Sequence, residues 1–189
     1  MNLVERAKNL IVTPRSEWQV IAAEPHTVQD LYTQYVMILA AIPAVAGFIG
    51  LSIVGYPAFR IGVGPGVAYM VLHYLLSLGM VYVLALLIDA LAPSFGGEKN
   101  FMQAFKVAAF APTAAWVAGI FNILPTLSIL SIVGLYSLYL LFTGLAPVMR
   151  TPEDKSIPYT VVVIIAAIVL NVVIAAIAGM AIPSPVRGF

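Results

Sequence analysis

The stretch 157–181 reads IPYTVVVIIAAIVLNVVIAAIAGMA, 25 residues without one charge. A transmembrane helix needs about 20 mostly apolar residues to cross a hydrocarbon core about 30 Å thick, and this stretch supplies them. Working backwards along the chain, 128–148, 104–124, 66–92 and 31–56 meet the same length, and only Asp89 and Lys106 of 17 charged residues fall inside the five blocks. The chain reads as an all-α, polytopic integral membrane protein with five transmembrane helices.

Composition agrees. Hydrophobic residues make up 62% and charged residues 9% of the 189, where soluble domains carry about 45–50% and about 25%. Connections of about ten residues or fewer leave no room for a soluble domain, so the organisation expected is an amphipathic region 1–30, a membrane domain 31–181 and a short tail 182–189. The absence of cysteine removes disulfides, thiolate metal sites and cysteine nucleophiles together. A net charge of +1 predicts no nucleic-acid partner.

The N-terminus does not read as a cleaved signal. Glu5, Arg6, Lys8 and Asn9 interrupt Leu3, Val4, Ala7, Leu10 and Ile11, which recur on one helix face. Such a helix lies on a surface, either the membrane interface or the bundle itself. Thr13 and Pro14 suit the N-cap and first residue of a second short helix. Trp18 on that helix suits the headgroup layer, unless these turns simply pack on the bundle.

Basic residues are retained on the cytoplasmic side, so the flanks set the orientation. Five spans put Arg6, Lys8, Arg15, Lys99, Lys106, Arg150 and Lys155 on one side and only Arg60 and Arg187 on the other. That places the N-terminus in the cytoplasm and the C-terminus outside. Thr27 with Asp30 forms a capping box ahead of the first span, and Tyr56-Pro57 ends it. Pro65 sits in the first turn of the second, Asn100 and Gln103 open the third, and Ser156 with Pro158 opens the fifth. The uncharged connection around Pro125, Thr126 and Ser128 predicts a tight hairpin.

Pro43 and Pro112 lie about nine residues into their helices, where each ring denies a hydrogen bond to the carbonyl four residues earlier, so both helices are expected to kink. Ala111, Ala115 and Gly119 repeat at four-residue spacing and mark close helix contacts, since lipid offers no hydrophobic drive between helices. That pattern does not separate contacts within one chain from contacts between copies.

Polar groups at membrane depth are where chemistry would reside. Asp89 stands near the cytoplasmic end of the second span, with Lys99, Lys106 or Arg150 as expected partners. His73 shares a face with Tyr69 and Ser77. Asn122 and Asn171 suit interhelical hydrogen bonds. His73 and Asp89 are 16 residues apart, which is about 24 Å along one helix, too far for a shared site. No carboxylate or second histidine stands at ligand spacing, so no metal or other cofactor is expected. H-E-x-x-H, G-x-S-x-G and P-loop motifs are absent, and Gly62, Gly64 and Gly66 lack the setting of a dinucleotide fingerprint. The residues do not specify an enzyme.

Gly96-Gly97-Glu98-Lys99-Asn100-Phe101, then Phe105-Lys106, Phe110-Ala111-Pro112, Trp116 and Gly119, resemble the middle of the Yip domain, the family named for Ypt/Rab-interacting membrane proteins. The run Leu135-Tyr136-Ser137-Leu138-Tyr139-Leu140-Leu141-Phe142-Thr143-Gly144-Leu145 extends the resemblance. Pro14-Arg15-Ser16-Glu17-Trp18 and Ala22-Ala23-Glu24-Pro25 are similar to bacterial members in particular. The resemblance implies five spans, a cytoplasmic N-terminus and a bacterial inner membrane. Eukaryotic relatives are associated with Rab GTPases; this chain departs from them in lacking their long polar N-terminal region and Asp-Leu-Tyr-Gly-Pro motif, and in having Phe110 where many have tyrosine.

Two functions follow as expectations. One is a non-catalytic scaffold or adaptor that organises lipids, other membrane proteins or further copies of itself. The other is a small channel or transporter built on His73, Ser77, Asp89, Asn122 and Asn171.

Overall fold

The computed structural model describes residues 2–55 and 60–180. The expected stop at Tyr56-Pro57 and the tail 182–189 with Arg187 lie outside the described residues. Among the described residues every regular element is helical. Helices α1 (Leu3–Val12) and α2 (Pro14–Ala23) precede five membrane-length helices: Val28–Val54, Val63–Phe95, Phe101–Ile123, Pro125–Met149 and Asp154–Gly179.

Local chemistry explains most boundaries. Asn2 Oδ1 accepts the Glu5 amide at the start of α1, at 3.2 Å. Thr13 occupies the N-cap position of α2 as expected, yet its hydroxyl donates back to Asn9 O instead of capping, and Pro14 follows as the first helical residue. The Thr27–Asp30 capping box is complete: Asp30 N donates to Thr27 Oγ1 at 3.1 Å and Thr27 N to Asp30 Oδ2 at 3.3 Å. Gly96, with φ of 70°, ends the second span in the left-handed region where glycine carries no Cβ penalty.

The fifth span differs from expectation. It opens at Glu153, a turn before Ser156, because Pro152 supplies the extended cap residue; Pro158 lies inside the helix, where its ring denies only the bond to Asp154 O. The hairpin between the third and fourth spans is tighter than expected. Leu124 alone is extended, and tight 3₁₀ turns flank it at Gly119–Ile123 and Pro125–Leu135. Ser128 Oγ donates to Pro125 O at 2.7 Å, fastening the new helix start.

The two prolines behave differently. The α-helix Met37–Phe48 runs unbroken across Pro43, with wider π-type turns on either side at Tyr32–Val36 and Ile49–Val54. At Pro112 the third span is interrupted between Phe101–Phe110 and Thr113–Ala118. The missing amide hydrogen bond there coincides with the break.

The third span is the hub: 72% of its apolar window is buried, against 22% for the fourth and 17% for the fifth. A methyl added at Gly119 would lie 2.6 Å from Pro43 Cβ, and one added at Gly134 would lie 3.0 Å from Ala115 Cα. These small residues therefore serve contacts inside one chain, drawing the first and fourth spans onto the third. On the other flank, Tyr159 donates its hydroxyl to Ile88 O, and its ring stacks on Phe95 with centroids 4.9 Å apart. That joins the second span to the fifth.

Candidate functional site

The densest polar cluster is one that α1 and α2 bring to the start of the third span. Arg6 lies on the apolar stripe of α1, between Leu3 and Leu10, and Glu17 on the stripe of α2 beside Trp18 and Ile21. Folding the two helices together buries both charges. The Arg6 guanidinium donates to the carboxylates of Glu17 and Glu24, and its carbon sits 5.9 Å from the centroid of Phe110, within reach of a cation–π contact. His26 Nε2 meets Glu24 Oε2 at 3.0 Å.

Burial pushes the Glu24 carboxyl up, but the hydrogen bond and charge of Arg6, followed by those of His26, outweigh it, and the group ends below its ordinary value. Its neighbour Lys106 is 3% exposed and donates to Ala22 O at 3.3 Å and Glu24 O at 2.6 Å. Gln103 Nε2 adds a bond to Ala22 O at 3.1 Å. The last carbonyls of a helix have no partner within it and carry its negative dipole end, so an ammonium there closes α2 electrostatically.

Trp18 is fully buried against the bundle, because Gly144 on the fourth span leaves it a seat: a Cβ there would lie 2.3 Å from the indole. Phe110 lies edge-on to Trp18 at 6.4 Å and to Tyr35 at 4.6 Å. The Tyr35 and Thr113 hydroxyls are 2.8 Å apart, and Thr113 donates to Phe110 O at 2.5 Å. Tyr136 reaches α1, donating to Ile11 O at 3.1 Å. These contacts dock the N-terminal helices on the third and fourth spans and tie the first span to the third.

The polar residues picked out from sequence do not converge. His73 is half-buried, with its ring 5.7 Å from Tyr69, and Ser77 Oγ donates to Tyr74 O at 2.7 Å, a bond within its own helix. Asn122 Oδ1 accepts from Ser131 Oγ at 3.0 Å, linking the third and fourth spans. Asn171, expected to bond between helices, instead donates to Ala167 O on its own helix at 2.9 Å. Asp89 is not paired with its expected partners. Lys106 is held by α2, and Arg150 by Glu98 at 3.1 Å. The Asp89 carboxylate is 9% exposed, and its Oδ1 has no hydrogen-bond partner among the described residues.

Spacing alone hides the Arg6–Glu17–Glu24 network, since its members are 11 and 18 residues apart. The available signal is a charge on an otherwise apolar stripe in each of two consecutive helices. Among the described residues no group of three or more His, Cys, Asp or Glu side chains is arranged to hold a metal ion.

The Yip1 domain family model matches residues 8–175. The chain belongs to the Yip1 family. The match takes in the second half of α1, all of α2, the first four membrane-length helices and the fifth as far as residue 175. This Yip1-family chain is 27% identical over 117 residues to the inner membrane protein YohC of Escherichia coli strain K12, covering 59% of the chain and 60% of the relative. The same identity and coverage hold for YohC of E. coli O6:H1 strain CFT073. The chain thus spans about 60% of the length of the curated relatives it matches. No solved structure matches it.

Proposed function

We propose that this Yip1-family protein is a non-catalytic scaffold of a bacterial inner membrane, with its N-terminus cytoplasmic and its C-terminus outside, which organises partner membrane proteins or further copies of itself. The observation that carries this reading is the division of the surface. Deep polar side chains are spent on bonds within the bundle, as at Ser77, Asn122 and Asn171, while the apolar faces of the fourth and fifth spans are left open. A helix face with no chemistry and little internal packing serves association with lipid or protein. The inner-membrane name of the E. coli relatives and the seven-to-two partition of basic residues support the location and orientation. Crosslinking in native membranes followed by affinity purification is expected to recover a stoichiometric partner or a self-assembly. A chain that stays monomeric and alone removes the reading.

One observation favours a conduit as a second reading, namely the buried Asp89 with an unpartnered oxygen, since an intramembrane carboxylate marks an ion or proton path by default. Flux assays in proteoliposomes decide it. Equal ion and proton leak through wild type, Asp89→Asn and empty vesicles eliminates the conduit.

A further inference from the structure

Where α2 turns into the first span, a cavity of about 270 Å³ opens beside the start of the third span, lined by Glu24, His26, Asn100, Met102, Gln103 and Lys106. Its volume is at the small end for ligand pockets, which run from about 300 Å³ upward, and suits one compact group. We propose that this cavity binds a phosphate group, either a phospholipid headgroup or a free phosphate. The reading goes beyond the scaffold function and does not depend on it.

The donors are built into the walls. Lys106 is buried, and of its three N–H donors two go to Ala22 O and Glu24 O, leaving one unassigned. No carboxylate forms an ion pair with it among the described residues. Asn100 turns its Oδ1 to the Gln103 amide at 3.1 Å, which leaves its own NH₂ free to donate. The amide of Met102, in the first turn of the same ten-residue helix, has no partner within it. An ammonium, a side-chain amide and a helix N-terminus around one cavity form an anion site.

Glu24 is the one carboxylate on the wall; it is turned to Arg6, which it shares with Glu17, and to His26 Nε2. Gln103 Oε1 is buried without a partner and calls for a donor, which a protonated phosphate oxygen or a headgroup hydroxyl supplies. Met102 gives one apolar wall for the carbon atoms next to the phosphate.

The test uses the full chain. It is reconstituted in nanodiscs of equal phosphatidylglycerol and phosphatidylcholine, released into neutral detergent and weighed by native mass spectrometry. In parallel, delipidated protein is titrated with inorganic phosphate and followed by phosphorus NMR. Retention of phosphatidylglycerol over phosphatidylcholine supports the headgroup source; saturable phosphate binding without retained lipid supports the free-ion source. In either case Lys106→Met is expected to weaken binding by at least about tenfold, the scale of one charge-assisted hydrogen bond, while Lys106→Arg retains most of it. Asn100→Ser keeps an oxygen to cap Gln103 but removes the NH₂ donor, and is expected to weaken binding even if Lys106→Met fails to fold. Neither lipid preference nor phosphate binding in wild type, or binding unchanged in both Lys106→Met and Asn100→Ser, overturns the proposal.

Discussion

Gly144 and Trp18 meet so closely that the smallest side chain at 144 would collide with the indole ring, 2.3 Å away. Trp18 is fully buried and has nowhere to retreat. Gly144→Ala is therefore expected to cost about 1–3 kcal/mol, the usual scale of overpacking, read as a lower midpoint in denaturant unfolding from detergent. Arg6→Met is expected to cost more, about 3–5 kcal/mol, because it strands the buried Glu17 carboxylate without its partner. Limited proteolysis then cuts the released N-terminal helices, where the wild type resists. Acid acts on the same network. Glu24 sits below its ordinary 4.5 in the folded chain, so its contribution is present above the unfolded value and is lost as pH falls through the folded one. In a Trp116→Phe background the single remaining tryptophan, Trp18, reports docking. Its emission is expected to hold at neutral pH and to shift red as the pH drops below about 4.5, where Arg6 and His26 lose the Glu24 charge. Glu24→Gln flattens that dependence. The sequence reveals the charges but not this network, since a linear pattern shows that Arg6 lies on an apolar stripe without showing what covers it.

Helices were the most legible scale. Length and apolarity set the five spans, because a bilayer imposes one thickness on every crossing segment. Local caps at Thr27 and Asn100 stand where short polar side chains precede apolar runs, since a cap bond spans only three residues. Less legible were features that depend on neighbours. Pro43 and Pro112 look alike in sequence, yet one is carried through a continuous helix and the other marks a break. The difference tracks packing: Pro43 is clasped by Gly119 on the third span. Alanine substitutions test that account directly. Gly119→Ala and Gly50→Ala push a methyl to 2.6 Å from Pro43 Cβ and 2.0 Å from Asn122 O respectively, whereas Gly79→Ala meets nothing within 4 Å. The first two are expected to lower stability by about 1–3 kcal/mol. Gly79→Ala is expected to be neutral or to stabilise by up to about 1 kcal/mol, from reduced freedom of the unfolded helix. Equal effects at all three positions would contradict the packing assigned here.

For the whole molecule, the proposed topology of five crossings puts the two ends of the chain on opposite faces. Reporter fusions at the two ends are expected to light up in different compartments, with the N-terminal fusion active in the cytoplasm. The same result for both ends is incompatible with five crossings. The candidate site was the least legible feature, because it joins residues from α1, α2 and the third span that share no spacing rule. The fourth span carries one further consequence. Its first 11 residues, Pro125–Leu135, are wound as a 3₁₀-helix, which rises about 2.0 Å per residue against about 1.5 Å in an α-helix. Over that segment the tighter winding gains roughly 5 Å of reach. In a bilayer that extra reach lets the same 11 residues cover more of the hydrocarbon thickness than an α-helical winding of them would.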